Sequence, residues 1–191
     1  MAQLNITLNQ GGIKMLIERL NILLPYQVRR LTEEDGDEIF ALQRRHPEYH
    51  ALFLNHKAKK ADVLSDLTSI PEGVLPENKF YLGMYDADKL VAIADVVLNF
   101  PTSKTAWLGL IMVDYDVVGQ GIGGKIIEML KQALMREQFE QLCTIVPTES
   151  DVGFFFDAHG FSTGEEMLMG VREDGCEIVG KLRTVDLNVI K

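Results

Sequence analysis

Leu110-Ile111-Met112-Val113-Asp114-Tyr115-Asp116-Val117-Val118-Gly119-Gln120-Gly121-Ile122-Gly123-Gly124-Lys125 runs from an apolar stretch, through a glycine-rich turn, into a helical repeat. The apolar part has the composition of a buried strand. Beyond the turn, Ile122, Ile126, Leu130, Ala133 and Leu134 recur at three- and four-residue steps and mark one face of a long helix. Glycines at such a junction let the backbone turn sharply and carry its N–H groups up to a phosphate at the positive end of a helix. The stretch therefore reads as a phosphate site before it reads as any particular one.

Two phosphate motifs overlap it. Gly119, Gly121 and Gly124 satisfy Gly-x-Gly-x-x-Gly, and Gly119, Gly124 and Lys125 satisfy most of a P-loop. A P-loop needs Ser or Thr after its lysine to hold Mg²⁺, and Ile126 stands there. A dinucleotide fold carries its fingerprint in the first βαβ unit. Here three strands precede it, over residues 80–85, 90–98 and 106–113. Asp86-Ala87-Asp88 and Phe100-Pro101-Thr102-Ser103 are too short to be parallel crossovers, so these strands pair antiparallel. A turn that holds no phosphate is the remaining alternative, because glycines also serve tight bends.

Working outward, residues 26–31 alternate as a first strand. Thr32 with Asp35 opens a helix through about residue 45, which Pro47 ends. A second helix is predicted over 59–67. After the long helix come a strand at 142–146, a helix at 151–158 stopped by Gly160, and a hairpin of 167–171 with 177–185. Residues 1–25 read as an extension, with a short strand at Asn5-Ile6-Thr7-Leu8 and a helix carrying Ile13, Leu16, Ile17 and Leu20. Residues 26–191 then form one domain.

A net charge of −9 argues against nucleic acid, whose phosphates require a basic surface, and favours a cationic partner if any charge preference exists. No apolar run is long enough to span a membrane. Two cysteines make no disulfide framework, and Cys143 reads as a buried thiol. With no leader-like start, the expected compartment is the cytoplasm.

The stretch from Leu110 to Gly123 resembles the acetyl-CoA motif of the GNAT superfamily, a strand and short turn followed by Arg/Gln-x-x-Gly-x-Gly/Ala. Gly121 and Gly123 fall on its small positions, and Val118 stands where the Arg or Gln usually is. Phe155-Phe156-Asp157-Ala158-His159-Gly160-Phe161 is similar to the family's Phe-Tyr-x-x-x-Gly-Phe segment. The order of elements follows the family from about Tyr26 to Val185, and residues 90–123 are similar to bacterial members with Gly-Leu-x-x-Val before the turn.

The resemblance implies an α/β fold whose mixed, mostly antiparallel sheet has splayed central strands and flanking helices. It implies acetyl-CoA as co-substrate, no metal, and a small-molecule or peptide amine as acceptor; a homodimer is left open. Met112 and Val113 would pair with the pantetheine arm and the thioester carbonyl. Val118, Gly119, Gln120, Gly121, Ile122, Gly123 and Gly124 would hold the pyrophosphate, with Glu149 near the cofactor. Phe156 takes the place of the tyrosine that usually protonates the departing thiolate, so its ring is expected beside the CoA sulfur. That loss also admits a non-catalytic acyl-CoA-binding module.

Base candidates are few. Asp95 interrupts an apolar strand, as either a carboxylate raised by burial or an edge residue facing solvent. Asp114 ends the next strand and either acts through water or caps the turn. His46 and His50 have metal-like spacing, but Pro47 argues against the helix that would align them. Trp107 reads as core before site.

Overall fold

The computed structural model describes residues 15–54 and 56–189; the strand expected at residues 5–8 lies outside them. Seven strands form one sheet in the order β1-β2-β3-β4-β5-β7-β6. They are β1 (Gln27–Arg30), β2 (Lys79–Asp86), β3 (Lys89–Leu98), β4 (Thr105–Val113), β5 (Gln141–Pro147), β6 (Ser162–Val171) and β7 (Glu177–Asp186). Every neighbouring pair is antiparallel except β4 and β5. The exception follows from the crossover helix α5 (Ile122–Arg136), which returns the chain in the same direction.

Two cores lie on opposite faces. On one, helix α1 (residues 15–23) sets Leu16 and Leu20 against Ile126, Ile127, Leu130 and Leu134 of α5 and Phe156 of α6 (Gly153–Ala158). The segment read as an extension thus shares the main core, and Asn21 ties it to β1 by exchanging hydrogen bonds with both backbone groups of Val28. On the other face, Ile39 and Leu42 of α2 (Gly36–Gln43) and Val63 and Leu67 of α4 (Lys60–Thr68) cover Tyr81, Ile93, Leu110 and Met112. Cys143 is buried and Cys176 exposed, both as free thiols.

Pro47 does not simply end a helix. It opens another, α3 (Pro47–Phe53), because a first-turn residue needs no N–H donor and the ring already holds the helical φ. The strand β6 also begins earlier than expected, at Ser162. Its exposed residues offer no apolar alternation over that first half.

Candidate active site

The parallel pairing of β4 with β5 lasts only from Thr105–Gln141 to Trp107–Cys143, after which the strands part. A bulge lies at that point. Asp95 pairs with Leu110 and Val96 with Leu108, so Gly109 is the unmatched residue of β4. Such a bulge bends and twists its strand, and here it turns β4 away from β5. A side chain at 109 would have to displace the Asp95 carboxylate, because its Cβ would lie 2.9 Å from Oδ2.

Which backbone groups face the gap follows from register. Asp114 N–H donates to the Val91 carbonyl at 2.8 Å, so residue 114 points at β3. By antiparallel alternation Met112 and Leu110 also spend their backbone groups on β3, while Ile111 and Val113 turn theirs toward the gap. This corrects the expectation for Met112, whose side chain is buried in the second core. Val113 does face the gap, and its carbonyl accepts from His46 Nε2 at 3.0 Å. His46 owes that reach to its place just before Pro47 at the start of α3, with Nδ1 3.2 Å from Glu48. The His-Pro helix start was the available signal in the sequence. His50 turns instead to the Gln43 carbonyl, so the two rings do not converge, and no three potential metal ligands cluster among the described residues.

Beyond β4, Asp114 caps the turn, its Oδ1 accepting from Asp116 N–H at 2.8 Å. Ion pairs to Arg45 and Lys89 occupy the same carboxylate. Capping and charge pairing, rather than proton transfer, account for Asp114. Val118 is extended and exposed, and Gly119 and Gly121 take φ of +82° and +79°, a region costly to other residues. Gly121 is the N-cap of α5 and offers no side chain to its first turn, which also holds no acidic residue. The N–H groups of Ile122, Gly123 and Gly124 therefore lack intrahelical acceptors at the positive end of a 15-residue helix. Gln120 is exposed beside them. Gly124 is small for a second reason, since a Cβ there would meet the His159 ring at 2.8 Å.

Phe156 departs from its expected place. It is 4 % exposed and packs edge-on against Phe155 and Phe161 inside the main core. The ring that reaches the glycine turn is Phe155, 3.5 Å from the Cβ position of Gly123. Glu149 is exposed on the turn after β5.

On the α2–α4 face, where β4 leaves β5, a cavity of about 290 Å³ is lined by Tyr49, Asp66, Lys79, Tyr81, Asp95 and Trp107, with Gly109 on its wall. Asp95 is not an edge residue, because β3 has neighbours on both sides. Its Oδ2 accepts from Lys79 Nζ at 2.9 Å, and its Oδ1 is buried without a partner. Burial pushes the Asp95 carboxyl up, against the pull of Lys79. Lys79 also donates to the Asp66 carbonyl at 2.9 Å, which engages two of its three N–H groups. Asp66 is exposed at the cavity rim, where partial desolvation and the nearby Asp95 charge raise its carboxyl to about 6. Trp107, half-buried, is a wall of this cavity as well as a partner of Phe100.

The Asp66 shift has a consequence for stability. The unfolded chain ionises this acid near its ordinary value and the folded protein only near 6, so stability falls as pH rises between the two. Asp66→Asn removes the penalty. Asp66 is exposed, so solvent screens much of that penalty, and the variant's unfolding free energy at pH 7 should exceed the parent's by about 1 kcal/mol or less, with the difference gone below pH ~4. Denaturant melts at the two pH values check this, and an equal effect at both refutes it.

The acetyltransferase (GNAT) family model matches residues 36–161, about two thirds of the chain. No curated protein matches the sequence. Among solved structures, an acetyltransferase from Thermus thermophilus superposes with a TM-score of 0.62 at 21% identity, covering 86% of this chain and 98% of that one. The ribosomal-protein-S18-alanine N-acetyltransferase of Escherichia coli gives 0.61 at 16% identity, with 87% and 96% covered. The yncA protein of Salmonella typhimurium, solved with its cofactor acetyl-CoA, gives 0.58 at 13% identity, with 87% and 96% covered. At these identities the likeness is one of fold, and it extends to the open, mostly antiparallel sheet. With the family model spanning the bulged strand, the glycine turn and the helix beyond it, this chain belongs to the GNAT family of acetyltransferases.

Proposed function

We propose that the chain transfers an acetyl group from acetyl-CoA directly to a primary amine. One observation carries the reading. The gap-facing backbone of β4 leads at one end into the bare N-terminus of α5, and at the other adjoins a cavity lined by the Asp95 and Asp66 carboxylates.

The residues present fit acetyl-CoA. Backbone N–H groups of Ile122, Gly123 and Gly124 would hold its pyrophosphate, with Gly119 and Gly121 allowing close approach. When bound, the thioester supplies an activated acetyl group. One gap-facing N–H, of Ile111 or Val113, would stand where charge develops on the thioester oxygen and stabilise it without reorganising. Asp95, ionised and with a free Oδ1, takes the proton the amine must lose, directly or through water. The amine nitrogen then bonds to the acetyl carbon, the carbon–sulfur bond breaks, and the CoA thiolate collects a proton from solvent.

Acetyl-CoA should raise the melting temperature, since a ligand at a hundredfold excess over its Kd stabilises the folded state by about 2.7 kcal/mol. Stabilisation by Mg²⁺-ATP but not by acetyl-CoA overturns the reading. The Phe155 ring beside Gly123, which has no proton to give a thiolate, favours a second one, a module that binds acetyl-CoA without turnover. Release of free thiol with any amine in a panel excludes that module.

A further inference from the structure

The cavity beside β4 is deeper than a single amine requires. It starts at Trp107, Gly109 and Leu110 of β4, passes Asp95 and Val97 of β3, and ends at Lys79 and Tyr81 of β2 under Asp66 of α4. Adjacent strands lie about 4.8 Å apart, so its two ends are separated by roughly 10 Å. The far end is where charge is unbalanced. Lys79 is engaged by Asp95 and by the Asp66 backbone, and no donor reaches the Asp66 carboxylate among the described residues. Tyr49 and Tyr81 flank this end, and Lys79 Nζ already lies 5.9 Å from the Tyr81 ring centre, so that ring tolerates a cation nearby.

We infer that the acceptor is an aliphatic amine with a second ammonium group, seated between Asp66 and the Tyr49 and Tyr81 rings while its other amine reaches β4. The inference rests on the acetyl-transfer reading for the reacting end only. A bound ammonium gives Asp66 the counter-charge it lacks, and its methylene chain covers the apolar walls. An anion would meet the Asp66 and Asp95 carboxylates, with Lys79 already paired to Asp95. A monoamine leaves Asp66 as it is in the empty cavity.

Ionised Asp66 is the binding form, so affinity for the diamine should weaken as pH falls through about 6. The charged and titratable groups facing Asp66 are Lys79, Asp95 and Asp62, with the Tyr49 and Tyr81 hydroxyls. Burial raises both phenols, which stay neutral there.

The test uses the full chain with acetyl-CoA, comparing diaminopentane with pentylamine by free-thiol release. Diaminopentane is expected to show a KM lower by about tenfold or more, a difference of 1.4 kcal/mol. Asp66→Asn should erase that preference and its pH dependence. Melting temperature shows whether the variant is folded. Equal KM values for the two amines, or a preference that survives in folded Asp66→Asn, overturn the inference. Should no amine release thiol, diaminopentane without acetyl-CoA decides the point separately. A melting shift present in the parent and absent from Asp66→Asn supports the cation site although transfer has failed. No shift in the parent removes the site.

Discussion

Gly121→Glu is expected to lose CoA binding by more than tenfold while staying folded. Gly121 has φ of +79° at the N-cap of α5, and its Cβ position meets no other atom within 4 Å. A side chain there clashes with nothing in the free protein. The conformation itself costs about 1–2 kcal/mol outside glycine. The carboxylate adds a separate effect, because it stands where the N–H groups of Ile122, Gly123 and Gly124 are to meet an anion. It competes for those donors and repels the pyrophosphate, so the loss should pass 1.4 kcal/mol. Gly121→Ala shares the strain without the charge and should lose less. Calorimetric titration with CoA on both variants separates the terms, and unchanged affinity in folded Gly121→Glu sinks the phosphate assignment.

The second large effect is expected at Asp95. If its carboxylate accepts the amine proton, Asp95→Asn lowers kcat/KM by about 10²-fold or more, the usual contribution of a positioned base. The substitution also leaves the Lys79 ammonium, 6% exposed, without its counter-charge. Breaking a buried pair from one side costs about 3–5 kcal/mol, enough to confuse lost chemistry with lost structure. The double variant Asp95→Asn with Lys79→Met removes both charges together. It should recover most of the melting temperature and none of the turnover. In the parent, kcat/KM should rise with pH through the upward-shifted Asp95 value, since only the carboxylate accepts a proton. A folded double variant that transfers acetyl at the parental rate takes Asp95 out of the reaction.

These two predictions differ in what made them visible. The glycine turn behind the first was legible in the chain, because every requirement is local. An apolar strand, glycines at the bend and a helical apolar repeat lie within about twenty-five residues, and each constrains its own backbone. The antiparallel strands were legible for the same reason. Connections as short as Asp86-Ala87-Asp88 leave no other pairing.

Asp95 shows where that reasoning stops. Alternation along β3 placed it on one face but could not say that β2 and β4 enclose it, that Lys79 meets it, or that Asp66 comes beside it from α4. The contacts join residues 16 and 29 positions apart, and burial depends on all of them at once. Met112 was misplaced by a single residue for a related reason. A strand's side-chain pattern is readable, but which of its amides face a neighbour is set by pairing, here by the bond from Asp114 to Val91. Phe156 matches a family segment by spacing, yet its ring direction is decided by the core formed with Phe155 and Phe161. The sequence by itself determined the order of the strands in the described residues and the glycine turn before α5, because those follow from each residue's own backbone and near neighbours. Only the tertiary structure decided which carboxylate lies between two strands, which amides face the gap and where the cavity beside β4 lies, because those depend on register and burial between segments far apart in the chain.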